Sequence, residues 1–359
     1  MTMIEKTWTR FPGEPIAQEE IIEILPRWVG GDQLRLAKQL FQRSCVSSRH
    51  MVLSPAELAT PGRTFVQKND LYKRVIREEV GALSASIGAE LSNEARSSID
   101  LLVSVSCTGF QIPAMDARII QALDLPRGVR RLNLTEHGCA GGAAALGLAH
   151  EWLAAHPTRR ALVVAAELCS LAFQAEDTSA ENLVSAAIFG DGAAAVLLAG
   201  PLAEPAREGA PGLQIRDTYR EFFPHTEHFM GFEVNDAGLK IKLSQDIVAF
   251  SRGELPALFE RACAAWDVTG PHAFEIGSLH PGGRRILEIL EDEVGISSAV
   301  TWTSWECLRR YGNLSSVSVL VALDRLLIDR AKLRPGALGL LSAFGPGFGA
   351  ELSLLEAVA

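Results

Sequence analysis

The chain of 359 residues is long enough to bury a large core, and its 48% hydrophobic and 21% charged residues exclude disorder, collagen and coiled coil. Its net charge of −9, with scattered Lys and Arg, excludes the basic stripe of a nucleic-acid-binding protein. The sequence opens without an apolar leader and has no apolar run of membrane-spanning length. We therefore expect a cytoplasmic protein with neither nucleic acid nor membrane as a partner.

Hydrophobic periodicity predicts an alternation of helices and strands in the first half of the chain. The predicted helices cover residues 19–26, 33–44, 68–92, 114–122 and 141–155. The predicted strands cover residues 100–107, 131–135 and 161–166. This alternation indicates an α/β protein with helices on both faces of a mostly parallel sheet.

The second half of the chain repeats the pattern. Strands are predicted over 274–279, 299–302 and 337–342, and helices over 284–293 and 315–329. The glycine-rich segment 189–198 also resembles the segment 344–353, and each leads into an apolar strand. We therefore predict two similar α/β halves, residues 1–212 and 213–359.

One glycine motif is a false lead. Gly190, Gly192 and Ala195 match the dinucleotide-binding fingerprint, which requires a strand before it and a helix after it. Here an apolar strand follows, so we predict a tight turn between strands and no nucleotide site.

The cysteines and histidines show no metal-binding pattern. The six cysteines form no C-x-x-C pair, and the pair His225 and His228 has no third ligand nearby. We expect no metal and no disulfide framework.

Cys139 stands where a predicted strand ends, Gly138 turns the chain and an Ala-rich helix begins. A thiol at a helix N-terminus faces unpaired N–H groups and the positive end of the helix dipole, which favour the thiolate. The alternative is a buried cysteine that only packs against small neighbours. Cys139 is therefore a candidate nucleophile.

Two polar residues in the second half complement this cysteine. His280 leaves an apolar strand into a Pro-Gly-Gly turn, and Asn313 precedes a long helix next to Gly312. Each alone is typical of a surface histidine or an ordinary helix cap. In a duplicated fold, however, the helix starts at Cys139 and Asn313 face each other across a cleft. With His280 they supply a nucleophile and two oxyanion donors.

Six motifs occur in one order along the chain. They are Val105-Ser-Cys-Thr-Gly-Phe110, the block around Cys139, Phe189-Gly-Asp-Gly-Ala193, His280-Pro-Gly-Gly283, Tyr311-Gly-Asn-Leu-Ser-Ser316 and Phe344-Gly-Pro-Gly347. Over residues 20–357 the chain resembles the type III polyketide synthases, the chalcone-synthase-like family. The resemblance implies the thiolase fold (αβαβα, two halves with mixed sheets between helices), a homodimer, CoA thioesters as substrates and no bound cofactor. It also implies a catalytic triad of Cys139, His280 and Asn313.

The same resemblance, carried over residue by residue, implies a substrate pocket with Phe189 as its aromatic gatekeeper. The other implied pocket residues are Cys107, Cys169, Ala172, Phe232, Ile241 and Ser315. Ile112 is expected to reach into the pocket of the partner subunit, and Arg43 is expected near the phosphates of CoA. The runs that contain Cys107 and Cys169 resemble the bacterial branch, which includes naphthalene-forming members.

The implied reaction transfers an acyl group from a starter CoA to Cys139, extends it with malonyl-CoA after decarboxylation, and cyclises the chain. Ile241 and Ala172 stand where the plant enzymes have Phe and Thr, so we predict an apolar cavity, a fatty acyl starter and an alkylpyrone or alkylresorcinol product. The ring of Phe232 would oppose this by filling the same space. The alternatives are a 1,3,6,8-tetrahydroxynaphthalene synthase using malonyl-CoA alone, a ketoacyl synthase III-like enzyme, and a non-catalytic acyl-CoA-binding protein.

Overall fold

The computed structural model describes residues 1–204, 212–329 and 333–358, and strands and helices alternate along this part of the chain. The strands are β1 (Thr2–Arg10), β2 (Ile16–Ala17), β3 (Ser48–Arg49), β4 (Ile99–Val105), β5 (Arg130–Leu134), β6 (Arg160–Leu168), β7 (Asp191–Ala199), β8 (Gly212–Phe222), β9 (Met230–Asn235), β10 (Gly238–Leu243), β11 (Ile276–Leu279), β12 (Leu338–Gly345) and β13 (Gly349–Val358). The helices are α1 (Gln18–Ile24), α2 (Gly31–Arg43), α3 (Pro55–Leu58), α4 (Phe65–Glu90), α5 (Asn93–Ser97), α6 (Asp116–Leu123), α7 (Gly141–Ala155), α8 (Ala180–Ile188), α9 (Asp246–Ala265), α10 (Arg284–Asp292), α11 (Ser298–Tyr311) and α12 (Ser318–Ile328). Among these helices none is both long and apolar enough to cross a membrane.

Nine strands form one hydrogen-bonded sheet in the order β11-β12-β13-β8-β1-β7-β6-β4-β5. The β4–β5, β4–β6 and β11–β12 pairs are parallel, and the remaining five pairs are antiparallel. The prediction of a mostly parallel sheet is therefore wrong, and the mixed sheet that the resemblance implies is confirmed. β1 pairs with β7 and, through Thr2–Ile4, with β8, so it joins the strands of the two halves.

Three hydrophobic clusters divide the molecule into layers. Alternate residues of β6 face different clusters. Leu162 and Val164 pack in the first cluster, which contains α1, α2, α4 and α6. Ala161 and Val163 pack in the second cluster, which contains α7 and α12. In the second half, β12 turns Leu341 to the α7–α12 cluster and Leu340 to a third cluster with α9, α10 and α11. The expected five layers are therefore present, with α7 and α12 buried between the strands of the two halves.

One predicted strand is wrong. Residues 299–302 lie inside α11 (Ser298–Tyr311), which begins after the capping side chain of Ser297. Val300, Ser304, Cys307 and Leu308 are buried in this helix. Their spacing of three and four residues is that of one helix face, which a four-residue window does not reveal.

Two further predictions from the sequence differ from the structure. The sequence patterns predict no strand before residue 19, but Thr2–Arg10 form β1, whose neighbours are strands from both halves. Gly190 lies in a helix-to-strand connection between α8 and β7, whereas the similar segment at Gly345 connects two antiparallel strands. The apolar strand predicted after Gly192 is confirmed as β7.

α7 coincides with its predicted bounds, and its glycines allow close packing against the turn that precedes α12. A β-carbon at Gly142 would clash with the carbonyl oxygen of Ser316 and lie 2.9 Å from Val319.

We therefore expect Gly142→Ala to destabilise the protein by about 1–3 kcal/mol, as measured by urea denaturation. Gly147→Ala in the same helix is the control, because its β-carbon would lie at an ordinary 3.6 Å from Thr218. Equal stability of the two variants would contradict this packing.

Candidate active site

Cys139 lies in a single 3₁₀ turn, Gly138–Ala140, that leads directly into α7. Gly138 has a φ of +50°, and a β-carbon there would lie 2.6 Å from the ring of Pro346. Only glycine combines this left-handed backbone with so close a neighbour. The loop after β12 therefore packs on the turn that carries Cys139 and holds the thiol at the start of the central helix.

Ser315 joins two of the thiols that the sequence singled out. Its Oγ lies 3.7 Å from Sγ of Cys139 and 3.6 Å from Sγ of Cys107. Ser315 has a φ of +51°, an uncommon backbone conformation for a residue other than glycine. Such strained residues cluster at functional sites, where the surrounding structure holds them.

The side chain of Asn313 is fixed on both sides of its amide. Oδ1 accepts a hydrogen bond from the backbone N–H of Ser315 at 2.8 Å, and Nδ2 donates to the carbonyl of Gly282 at 3.1 Å. One N–H of Nδ2 remains for a substrate oxygen, since this amide nitrogen carries two donors.

The backbone of Asn313 is fixed to the segment that carries Phe189. Its N–H donates to the carbonyl of Ile188 at 2.7 Å, and its carbonyl accepts from the N–H of Gly190 at 3.0 Å. The predicted gatekeeper and the predicted oxyanion donor are therefore neighbours in one short bridge between the two halves.

His280 follows β11 and is 3% exposed. A β-carbon at Gly282 would lie 3.6–3.7 Å from the Cδ2 and Nε2 atoms of the imidazole, so His280 and Asn313 meet at the same turn. Neither ring nitrogen has a hydrogen-bond partner among the described residues. Buried polar atoms are nearly always paired, so this imidazole is available to a substrate or to a reacting proton.

Burial controls the charge of the two reactive groups. It raises the pKa of the Cys139 thiol to about 11, although interactions with Ser315 and Asn313 favour the thiolate. It lowers the pKa of His280 to about 3. The resting pair is therefore a neutral thiol and a neutral imidazole, whereas the helix N-terminus alone predicts a thiolate. A neutral imidazole is the form that accepts a proton.

The sequence analysis gave no role to Glu167, a buried carboxylate that contacts Cys107. It accepts hydrogen bonds from the N–H of Cys107 at 3.0 Å, the hydroxyl of Thr108 at 2.8 Å and the hydroxyl of Ser316 at 2.6 Å. Burial raises the pKa of Glu167, and burial together with the nearby charge of Glu167 raises the pKa of Cys107. The signal in the sequence that points to Glu167 is an ionisable residue at the end of an apolar strand.

Arg49 is a second residue that the sequence analysis missed. Its guanidinium is fully buried and donates to the carbonyl of Phe189 at 2.8 Å and to the side chain of Gln18. Burial lowers its pKa to about 9. Arg49 therefore anchors the gatekeeper segment from the side opposite Asn313.

Three predicted pocket residues line one small cavity of about 20 Å³. They are Cys169, Phe189 and Ile241, together with Leu58, Ser170 and Phe173. Within the described chain Ala172 and Phe232 do not line this cavity. Ala172 is buried next to it, and Phe232 pairs with Ile241 across the β9–β10 hairpin but is 39% exposed.

The two remaining predicted residues lie at the surface. Ile112 is 83% exposed, an unusual position for a large aliphatic side chain. Arg43 is the last residue of α2 and is exposed. Their expected roles toward a partner subunit and toward CoA stay predictions.

Known proteins match this chain over almost its entire length. Residues 2–201 match the N-terminal domain and residues 214–359 the C-terminal domain of the chalcone and stilbene synthases. The 1,3,6,8-tetrahydroxynaphthalene synthase of Streptomyces coelicolor is 34% identical, over 96% of this chain and 89% of that protein. The phloroglucinol synthase of Pseudomonas fluorescens is 31% identical, over 96% of each chain.

The fold gives the same result. The crystal structure of 1,3,6,8-tetrahydroxynaphthalene synthase from Streptomyces coelicolor A3(2), a bacterial type III polyketide synthase, superposes with a TM-score of 0.89 at 30% identity and covers 99% of both chains. The architecture is therefore the expected thiolase fold. The chain belongs to the chalcone and stilbene synthase family, on the bacterial branch of the type III polyketide synthases, and is an acyltransferase.

Proposed function

We propose that this enzyme builds an aromatic polyhydroxylated product from malonyl-CoA alone, in the manner of a 1,3,6,8-tetrahydroxynaphthalene synthase. The observation that carries the proposal is the similarity over 96% of this chain to a 1,3,6,8-tetrahydroxynaphthalene synthase, at 34% identity, and to a phloroglucinol synthase, at 31% identity. The products named for the two relatives, tetrahydroxynaphthalene and phloroglucinol, also carry no alkyl tail.

In the proposed first step, the neutral imidazole of His280 takes the proton from Cys139, and the resulting thiolate attacks the thioester carbonyl of the starter. The acyl group moves to Sγ and CoA leaves as its thiol after protonation. The unpaired ring nitrogens of His280 support this role.

In the proposed second step, malonyl-CoA loses CO₂ and its thioester oxygen becomes an enolate. Two donors stabilise this oxygen: the Nδ2 group of Asn313 and a ring N–H of His280, which is present in both the protonated and the neutral imidazole. Phe189, whose backbone bridges to Asn313, lines the neighbouring cavity with its apolar side chain and keeps water from the malonyl carboxylate, which leaves as CO₂. The enolate carbon then attacks the Cys139 thioester, and the extended chain returns to Cys139 until it cyclises.

The starter is tested by feeding ¹³C-labelled malonyl-CoA alone and, in parallel, unlabelled hexanoyl- or dodecanoyl-CoA with labelled malonyl-CoA, with products identified by mass. We expect a fully labelled product from malonyl-CoA alone, formed with a higher kcat/KM than either alkyl-primed product. Efficient conversion of dodecanoyl-CoA without any product from malonyl-CoA alone would contradict the proposal.

A fatty acyl starter is the second candidate, and the aliphatic wall that Ile241 contributes to the cavity favours it. In that case Ile241→Phe is expected to shift the preference toward shorter acyl chains, because the ring takes the space of several methylenes at about 0.8 kcal/mol each. The measurement is kcat/KM against acyl chain length for the two proteins. An unchanged profile would remove Ile241 from the starter site.

A homodimer is also part of this proposal, supported by the exposed apolar side chains of Ile112 and Phe110. Light scattering after size exclusion is expected to give twice the mass of the chain.

A further inference from the structure

Lys68 lies in the first turn of α4 and is buried, with 7% of its surface exposed. Its Nζ donates one hydrogen bond, to the carbonyl of Phe173 at 2.7 Å. Among the described residues no carboxylate lies within ion-pair distance of this ammonium. Buried charges in proteins are normally paired, because removal from water is costly. Two N–H donors of Lys68 are therefore left for an anion.

Lys68 lines a cavity of about 50 Å³, here called the Lys68 pocket, whose wall includes Leu58, Arg63, Lys68, Phe173 and Gln174. Arg63 brings a second positive charge to the pocket. Burial, and to a smaller extent the charge of Arg63, lowers the pKa of Lys68 to about 8. Glu57 and the exposed Glu176 also line the pocket. Glu57 is already engaged by Arg63 at 3.1 Å and by the N–H and hydroxyl of Ser54. Arg63 and Glu57 therefore compensate each other, and the buried ammonium of Lys68 is left with the carbonyl of Phe173 as its hydrogen-bond partner among the described residues.

The Lys68 pocket adjoins the cavity of the candidate active site. Leu58 and Phe173 line both, so these two side chains form the boundary between the Lys68 pocket and the space beside Cys169, Phe189 and Ile241. An acyl chain on Cys139 that grows into this space carries its far end toward Lys68. The reaction proposed above, on which this inference rests, starts from a malonyl unit and so supplies a chain whose far end is a carboxylate until that group is lost as CO₂ when the aromatic rings form.

We propose that the Lys68 pocket binds the terminal carboxylate of a malonyl-primed chain, with Lys68 as its direct partner and Arg63 as the second cation. The carboxylate accepts hydrogen bonds from the two free N–H donors of Lys68, and this charge-assisted contact is made only by chains that begin with malonyl. An alkyl-primed chain has no group for the pocket. Lys68 therefore selects the starter class without taking part in bond making.

The test compares wild type, K68M, K68R and the control K73M in two reactions: malonyl-CoA alone, and hexanoyl-CoA with malonyl-CoA. Lys73 lies on the same helix, but its side chain is exposed and pairs with Asp70. We expect K68M to lose at least about tenfold in kcat/KM for the malonyl-only product, since a charged hydrogen bond contributes this much. Its hexanoyl-primed product stays at the wild-type level, K68R recovers most of the malonyl-only reaction, and K73M matches wild type in both.

A loss of both reactions to the same extent in K68M would mean that Lys68 only supports the fold, and an unchanged malonyl-only reaction would remove the carboxylate site. If K68M does not fold, R63M at the partly exposed edge of the pocket replaces it, with the same selective loss expected. Free malonate that inhibits the hexanoyl-primed reaction of wild type but not of K68M would assign the pocket to a free dicarboxylate and overturn the chain-end role. A wild-type enzyme that makes no polyketide from any thioester would instead contradict the proposed function itself.

Discussion

Cys139→Ala is expected to lower polyketide formation by at least roughly a thousandfold, which is the scale on which loss of a catalytic nucleophile acts. In the proposed reaction the thiol at the start of α7 carries the acyl chain, and alanine has no atom to replace it. Because alanine is smaller than cysteine and the thiol makes a long contact of 3.7 Å with the hydroxyl of Ser315, the folded state is expected to survive, as measured by thermal denaturation.

Cys263→Ala is the matched control for this first prediction. Cys263 is a buried thiol that packs in α9 within the third cluster, which contains α9, α10 and α11. Its loss is expected to leave product formation near the wild-type level. Product from a cleanly purified C139A protein would sink the assignment of the nucleophile.

Asn313→Ala is expected to separate the two half-reactions. Transfer of the starter to Cys139 should change little, whereas decarboxylation of malonyl-CoA should fall by about a hundred- to a thousandfold, as after removal of one oxyanion donor. The physical reason is that Gly282 holds Nδ2 and Ser315 holds Oδ1 of the Asn313 amide, which leaves one N–H of Nδ2 for the enolate oxygen of the proposed reaction.

The two half-reactions are measured separately on the same N313A preparation. Release of CO₂ from malonyl-CoA reports decarboxylation, and the mass of the acylated protein after incubation with hexanoyl-CoA reports starter transfer. The starter reaction serves as the internal control for folding. Equal loss in both would show that Asn313 supports the site as a whole rather than the enolate.

The sequence predicted the parts of the fold whose pattern is local. α7 was placed residue for residue, because an Ala-rich run between a glycine turn and His156 has one interpretation. No local pattern predicts β1, since its place is set by pairing with β7 and β8, which lie about two hundred residues away. The segment 299–302 was assigned to a strand for its β-branched residues, but packing of α11 on β11 overrode this local preference.

In the candidate site, too, local sequence patterns predict some features, whereas others depend on the packing of distant segments. Glycine-marked helix starts pointed to Cys139 and Asn313, and the structure brings both to Ser315. The pKa values of Cys139 and His280 depend instead on burial, which no local pattern contains. Arg49 was missed for a related reason, because an arginine in a polar segment looks exposed until the fold closes over it.

The central claim is that Cys139 carries the growing chain of a malonyl-primed polyketide synthase. The most direct measurement is the mass of the intact enzyme, and then of its peptides, after rapid quenching of a reaction with labelled malonyl-CoA. We predict a labelled acyl adduct on the peptide that contains Cys139, which is absent from C139A and still present in C263A. An adduct that maps to another cysteine, or that persists in C139A, would contradict the account.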